Sequence, residues 1–164
     1  MSIRLDGELV ATTMRTPGDD FELAVGFCVT EGVLGDAPLR SVRYCGEGKS
    51  SESDYNDVTV DTGGQAPAPT PRLGPASSSC GICGTVAIDD LLKRLRPLNV
   101  EPFDVEVLVS MANRIKGQAL FSSTGAVHAA VAFDRAGQPL VLREDIGRHN
   151  AVDKVVGRLY MDGC

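Results

Sequence analysis

Tryptophan is absent from this chain of 164 residues, histidine occurs only twice, and aromatic residues make up 5% of it. Long apolar runs are also missing. No stretch approaches the roughly 18 consecutive apolar residues of a membrane span. The first residues carry no basic-then-apolar leader, so a soluble, cytoplasmic protein without membrane contact is expected. Positive charge is in deficit: 16 Lys and Arg stand against 22 Asp and Glu, a net charge of −6. The balance argues against general nucleic-acid binding, which needs a basic face to neutralise phosphates. Cysteines number five, an odd count with a single close pair. That pattern fits a metal or redox pair plus buried single thiols in a reducing compartment, and fits a disulfide framework poorly.

What is present suits one core. With 43% apolar residues over this length, a single domain covering residues 1–164 is expected. Ile3 to Met14 reads as a hairpin around Asp6-Gly7. A helix is expected to begin after Thr16-Pro17-Gly18, capped by Asp19 or Asp20, and to end near Gly32, with Phe21, Ala24, Val25 and Cys28 facing inward. Ser41 to Cys45 and Asp57 to Asp61 read as strands. Residues 63–79, rich in Gly, Pro, Ala and Ser, predict a mobile linker. Further helices are expected over Thr85–Arg96, Phe103–Lys116 and Ile146–Tyr160, the last burying Val152, Val155, Val156 and Leu159. Ala126–Asp134 and Pro139–Glu144 predict a second hairpin. Mixed helices and strands in this order point to a layered α/β domain.

Cys80-Gly81-Ile82-Cys83 follows the linker and opens the helix at Thr85, whose apolar side carries Val86, Leu91, Leu92 and Leu95. A helix N-terminus favours the thiolate, the reactive form of the side chain. Zinc held by Cys80, Cys83, His128 and His149 is one reading, although no second close pair supports it. A thioredoxin-like redox pair is another, lacking its usual aromatic neighbour and preceding strand. A purely structural pair suits a Ser-rich loop badly. Nucleophilic sulfur chemistry remains, and it requires the access, lowered pKa and mobility that this position suggests. Cys28 and Cys45 read as core residues, and nothing is assigned to Cys164.

His128 sits among small residues, which suits a pocket wall but equally a hydrogen-bonded core histidine. Glu144-Asp145-Ile146-Gly147-Arg148-His149-Asn150-Ala151-Val152-Asp153-Lys154 gathers polar residues about a glycine at a helix start. Backbone N–H groups there can bind an anion, with Arg143, Arg148 and Lys154 close in sequence. His149 and Asp153 stand at i, i+4, where the carboxylate could orient the imidazole.

Three blocks together resemble one family. Cys80-Gly-Ile-Cys-Gly84, Ser123-Thr-Gly-Ala-Val-His-Ala-Ala130 and Glu144 to Lys154 are similar to the signature blocks of the formate dehydrogenase accessory sulfurtransferases, FdhD, and Arg15 to Gly32 fits the family's N-terminal block. The resemblance implies a three-layer α/β/α sandwich of the cytidine-deaminase type with a mixed sheet, and a homodimer. It implies sulfur accepted from a cysteine desulfurase as a persulfide on Cys80, with Cys83 as partner in the same loop. The sulfur would go to the molybdenum or tungsten bis-pyranopterin guanine dinucleotide cofactor of formate dehydrogenase, which is substrate here and not a resident group. No resident cofactor or metal is expected. His128, Arg143, Gly147, Arg148, His149 and Asn150 are the candidate cofactor-binding residues, with the arginines and the helix start suited to its phosphates. Members of the family run on beyond the last helix, so this chain is expected to lack their C-terminal part. Two other readings stand beside this one. A non-catalytic cofactor chaperone would need neither cysteine. A zinc hydrolase of the deaminase fold would need His-x-Glu, whereas His128 is followed by Ala129-Ala130.

Overall fold

The structure, a computed structural model, describes residues 1–45, 55–68 and 102–164. The linker beyond residue 68, the Cys80–Cys83 pair and the helix expected at Thr85–Arg96 lie outside the described residues.

Strands β1 (Ser2–Leu5) and β2 (Glu8–Thr12) pair antiparallel about Asp6 and Gly7. Both turn residues have positive φ, 49° and 93°, the geometry whose twist matches that of the strands it joins. Helix α1 (Asp20–Thr30) follows, then β3 (Ser41–Tyr44) and β4 (Asp57–Asp61). The strands form a mixed sheet of order β2-β1-β4-β3, with β4 parallel to β1 and antiparallel to β3. Ile3 lies beside Val58 and Leu5 beside Val60, and these side chains meet Ala24, Val25 and Cys28 of α1 in the main core. Removing one such aliphatic side chain from water contributes about 1.5–3 kcal/mol.

Asp19 occupies the cap position of α1, but in a left-handed conformation and without a side-chain cap bond. The carboxylates of the first turn serve other partners instead. Asp20 accepts from Arg15 Nε (3.0 Å), Arg15 Nη2 (2.7 Å) and the Tyr44 hydroxyl (3.2 Å). Burial would raise its pKa, but the Arg15 hydrogen bonds and charge outweigh burial and hold it below the ordinary value. The start of the expected linker is also tied down. Asp6 accepts from the Thr62 N–H (2.7 Å) and hydroxyl, and Thr62 Oγ1 accepts from the N–H groups of Gln65 and Ala66.

Beyond residue 101 come α2 (Val105–Arg114), α3 (Ala119–Thr124), the antiparallel pair β5 (His128–Phe133) and β6 (Pro139–Asp145), and α4 (Arg148–Met161). Asp104 caps α2 by accepting from the Glu106 N–H at 2.8 Å. No α2 residue is buried, and Val105, Leu108 and Val109 stay exposed. The turn of helix at α3 was not expected. Its first N–H groups are satisfied by a carboxylate from a distant strand: Glu144 of β6 accepts from Leu120 N (3.0 Å) and Phe121 N (2.8 Å).

Helix α4 packs on α1 and on the β5–β6 pair. Its buried side is Asn150, Ala151, Asp153, Lys154, Val155 and Gly157, while Val152 is 49% exposed. Of the expected apolar face, Val155 is buried and Val156 and Leu159 are half-buried, so the correction falls on Val152. The cause is a backbone-to-backbone crossing in which Gly26 of α1 meets Asp153 and Gly157 of α4; a Cβ on Gly157 would lie 1.9 Å from the Glu22 carbonyl oxygen. Close approach, not side-chain hydrophobicity, selects the face. Among the described residues no helix is long and apolar enough to cross a membrane.

Candidate functional site

The chain leaves β6 at Asp145, turns through Ile146 and Gly147, and enters α4 at Arg148. Asp145 is fully buried and organises this turn. Its Oδ1 accepts from the Gly147 N–H (2.8 Å) and from Asn150 Nδ2 (3.0 Å). Its Oδ2 accepts from the Thr16 N–H (3.0 Å) and lies 2.9 Å from Lys154 Nζ. Lys154, 1% exposed, also donates to the carbonyls of Thr16 (3.0 Å) and Glu144 (3.3 Å). Each buried charge thus has an opposite charge and a full set of hydrogen bonds, as burial demands.

The same network fixes the segment between β2 and α1. Thr16 Oγ1 accepts from the Ile146 N–H at 2.9 Å. Asn150 Nδ2 donates to the Met14 carbonyl (2.8 Å), and its Oδ1 accepts from the Thr13 hydroxyl (3.3 Å). Arg15 continues the link through Asp20 and the Tyr55 carbonyl. Residues 13–16 therefore form a wall beside the start of α4.

His128 is the cross-strand partner of Asp145, so the first residue of β5 lies next to this turn. His128, Arg148 and His149 are all exposed. Gly147 caps α4 by position only, because no side chain caps the helix and its first turn holds no acidic residue. Acidic side chains ordinarily favour this position, where the helix carries about half a positive charge. Here Arg148 and His149 stand there instead, and the Arg148 guanidinium adds positive charge to a positive helix end. A side chain at Gly147 would crowd the Asn150 amide, its Cβ lying 3.0 Å from Nδ2.

Of the other candidates, Arg143 is turned toward α1. Its Nη2 donates to Glu22 Oε1 at 2.9 Å, its Nε to Glu22 Oε2, and its Nη1 to the Leu142 carbonyl. Asn150 is buried in the network just described. His128 thus pairs with Asp145 next to the Gly147 turn, with Arg148 and His149 exposed at the helix start, while Arg143 is held by Glu22 and Asn150 and Lys154 by Asp145. Asp153 Oδ1 accepts from the Thr30 hydroxyl at 2.8 Å, and its expected i, i+4 relation to His149 is electrostatic. Burial raises the Asp153 pKa, with Thr30 opposing, Glu31 adding and His149 opposing.

Sequence reading missed the roles of Thr16, Glu144 and Asp145. Thr16 and Glu144 have partners far away in the chain, and Asp145 joins nearby Gly147, Asn150 and Lys154 to distant Thr16, a junction that no local periodicity marks. Among the described cysteines, Cys28 is buried and its thiol is pushed up to about 12, chiefly by burial, with Asp153 and Asp6 adding. Such a thiol is inert as a nucleophile at neutral pH. Cys45 is partly buried with its Sγ 2.9 Å from Thr59 Oγ1, and Cys164 is exposed.

A family model described as FdhD/NarQ matches residues 1–164. The chain is 43% identical over 176 aligned residues to the sulfur carrier protein FdhD of Streptomyces avermitilis, covering 99% of this chain and 61% of that one. It is 42% identical over 171 residues to the protein of the same name from Anaeromyxobacter dehalogenans, covering 99% and 59%. Among solved structures, a candidate formate dehydrogenase accessory protein of Desulfotalea psychrophila superposes with a TM-score of 0.65 at 24% identity, over 99% of this chain and 59% of that one. That last likeness bears on fold and supports the mixed α/β architecture. The chain spans about three fifths of the length of these relatives.

Proposed function

The chain belongs to the FdhD/NarQ family, and from that premise we propose that it is a sulfur carrier serving formate dehydrogenase. It accepts sulfur on Cys80 as a persulfide and passes it to a molybdenum or tungsten bis-pyranopterin guanine dinucleotide, which is its substrate. The observation that carries this reading is the family match over the whole chain, with the Cys80-x-x-Cys83 pair inside it.

In the proposed chemistry the Cys80 thiolate attacks the outer sulfur of a persulfide on a cysteine desulfurase. The bond between that sulfur and the donor cysteine breaks, and the donor leaves as a thiolate. Cys83 stabilises the Cys80 thiolate, relays the sulfur, or attacks the inner sulfur of the Cys80 persulfide, forming the Cys80–Cys83 disulfide as the outer sulfur leaves as hydrosulfide. The surface at the start of α4 takes the phosphates of the guanine dinucleotide. The N–H groups of the first helical turn and the Arg148 guanidinium supply positive charge and donors for it, and the imidazoles of His149 and His128 supply further hydrogen-bonding groups. Support for this placement comes from the first turn of α4, which carries Arg148 and no acidic residue. Arg143 and Asn150 act at one remove, by fixing the elements that carry this surface.

The proposal extends to a cytoplasmic homodimer whose complete fold is the three-layer sandwich of the cytidine-deaminase type. Complementation of a strain lacking its own sulfur carrier tests the central step. The chain is expected to restore formate dehydrogenase activity and C80A to abolish it. Full activity with C80A would favour a cofactor chaperone whose cysteines are incidental.

A further inference from the structure

One side of α2 fixes that helix in place. Val107 lies against Gly137 of the β5–β6 turn, where an added Cβ would stand 2.9 Å from its Cγ1. Arg114 Nη1 donates to the carbonyls of Ala136 (3.0 Å) and Gly137 (2.8 Å), and the Arg135 guanidinium lies 5.4 Å from the centre of the Phe103 ring. With that side committed, the helix cannot roll to bury the other. The other side carries Val105, Leu108, Val109 and Ala112, the i, i+3, i+4, i+7 spacing of a single helical face. Val105 and Val109 are 70% exposed and Leu108 is 47% exposed. Solvent gives no reason for valine there, because valine is a weaker helix former than the alanine, lysine or glutamate that suits an open face. Burial against another surface does give one.

We propose that this stripe is a self-association surface, on which α2 of a second copy of the chain packs antiparallel about a two-fold axis. The stripe suits its own inverted copy. With the axis between Leu108 and Val109, Val105 faces the small Ala112 of the second copy and Leu108 faces its Val109. Charge selects the same arrangement. Asp104 and Glu106 stand at the first end of α2, and Arg114 and Lys116 stand at its last. An antiparallel copy sets the acidic end beside the basic end and opposes the two helix dipoles, whereas a parallel copy sets like charges together. A lipid surface fits less well, since helices that lie on membranes carry a basic polar face and this stripe is bordered by Glu106 and Asn113. One helix against one helix lies at the small end of specific interfaces, so the pair dissociates on dilution. The proposal gives the homodimer of the preceding section a surface and is independent of the sulfur chemistry.

Sedimentation velocity of the full chain over a dilution series tests it, with thermal melts of each variant alongside. The wild type is expected to pass from dimer to monomer as it is diluted. V109E replaces a side chain already open to water, so it should melt like the wild type, yet weaken association at least tenfold because two added carboxylates meet near the axis. E106K should weaken association about threefold, the scale of an exposed ion pair, and the swap E106K/K116E should recover it. A folded V109E that associates like the wild type overturns the inference and leaves the homodimer standing on some other surface. Should V109E lose its fold, V105K decides by the same measure. A swap no stronger than E106K overturns the antiparallel arrangement. A wild type that stays monomeric at every concentration overturns the inference and the homodimer together, and co-sedimentation of that monomer with anionic vesicles would give the stripe to a lipid surface.

Discussion

Replacing Gly157 by alanine probes the crossing that carries α4 to its place. An added Cβ would stand 1.9 Å from the Glu22 carbonyl oxygen and 2.7 Å from the Gly26 nitrogen, where ordinary contact begins near 3.4 Å. The helices would have to part by roughly 1.5 Å, the difference between those two distances, enough to forfeit more than half of the contact energy between their facing atoms. Both colliding groups are backbone, so no side chain can swing away. Overpacking of about 3 kcal/mol, the upper end of the usual range, is therefore appropriate. The helix preference of alanine over glycine returns about 1 kcal/mol. The net loss is about 2 kcal/mol, or roughly 4–8 °C in Tm for a chain of this size. Thermal and urea unfolding, followed by far-ultraviolet circular dichroism, measures it. V152A is the control: it sits on the same helix at a side chain 49% exposed, and should change stability by less than about 1 kcal/mol. A G157A chain that melts at or above the wild-type temperature would refute the reasoning, because the crossing would then be looser than described.

Three further outcomes follow from the same geometry. Asp153 has a raised pKa in the folded chain, so its ionisation opposes folding at neutral pH, and that opposition disappears as the pH falls through its native pKa toward about 4. D153N, which keeps an acceptor for Thr30, should therefore be at least as stable as wild type at pH 7, with the difference shrinking by pH 4; urea midpoints across that range decide it. Asp6 and Asp20 have lowered pKa values, so their contribution is complete above about pH 4 and is lost as the pH falls through their native values. A wild-type urea midpoint that does not drop below pH 4 would contradict those assignments. E144Q removes one strong acceptor from the start of α3 and should weaken that cap by about 1 kcal/mol. Hydrogen exchange at Leu120 and Phe121 should then speed up about fivefold, and unchanged exchange would show that Glu144 is not the cap.

Local signals made much of the fold legible. Asp6-Gly7 announced its turn, α1 showed its inward face in Ala24, Val25 and Cys28, and the strands of both sheets fell within a residue or two of their expected bounds. Long-range contacts account for the rest. Helix α3 depends on a carboxylate that arrives 23 and 24 residues later in the chain. The buried face of α4 is set by two glycines on different helices, and periodicity cannot see a partner helix. Arg143 and Lys154 looked like free cations for an anion because their carboxylate partners, Glu22 and Asp145, lie across the fold or on its far side of a turn. Arg148, His149 and His128 are exposed, and His128 is the cross-strand partner of Asp145. The thiol pair was readable by residue type and by resemblance alone, and it lies outside the described residues.

Mass spectrometry of the chain after incubation with a cysteine desulfurase and cysteine bears most directly on the sulfur-carrier reading. One added sulfur, about 32 Da, on the peptide containing Cys80, removed by reductant and absent from C80A, is the expected result. A chain that gains no sulfur at Cys80 under conditions where the desulfurase is charged and turning over would contradict the account at its centre.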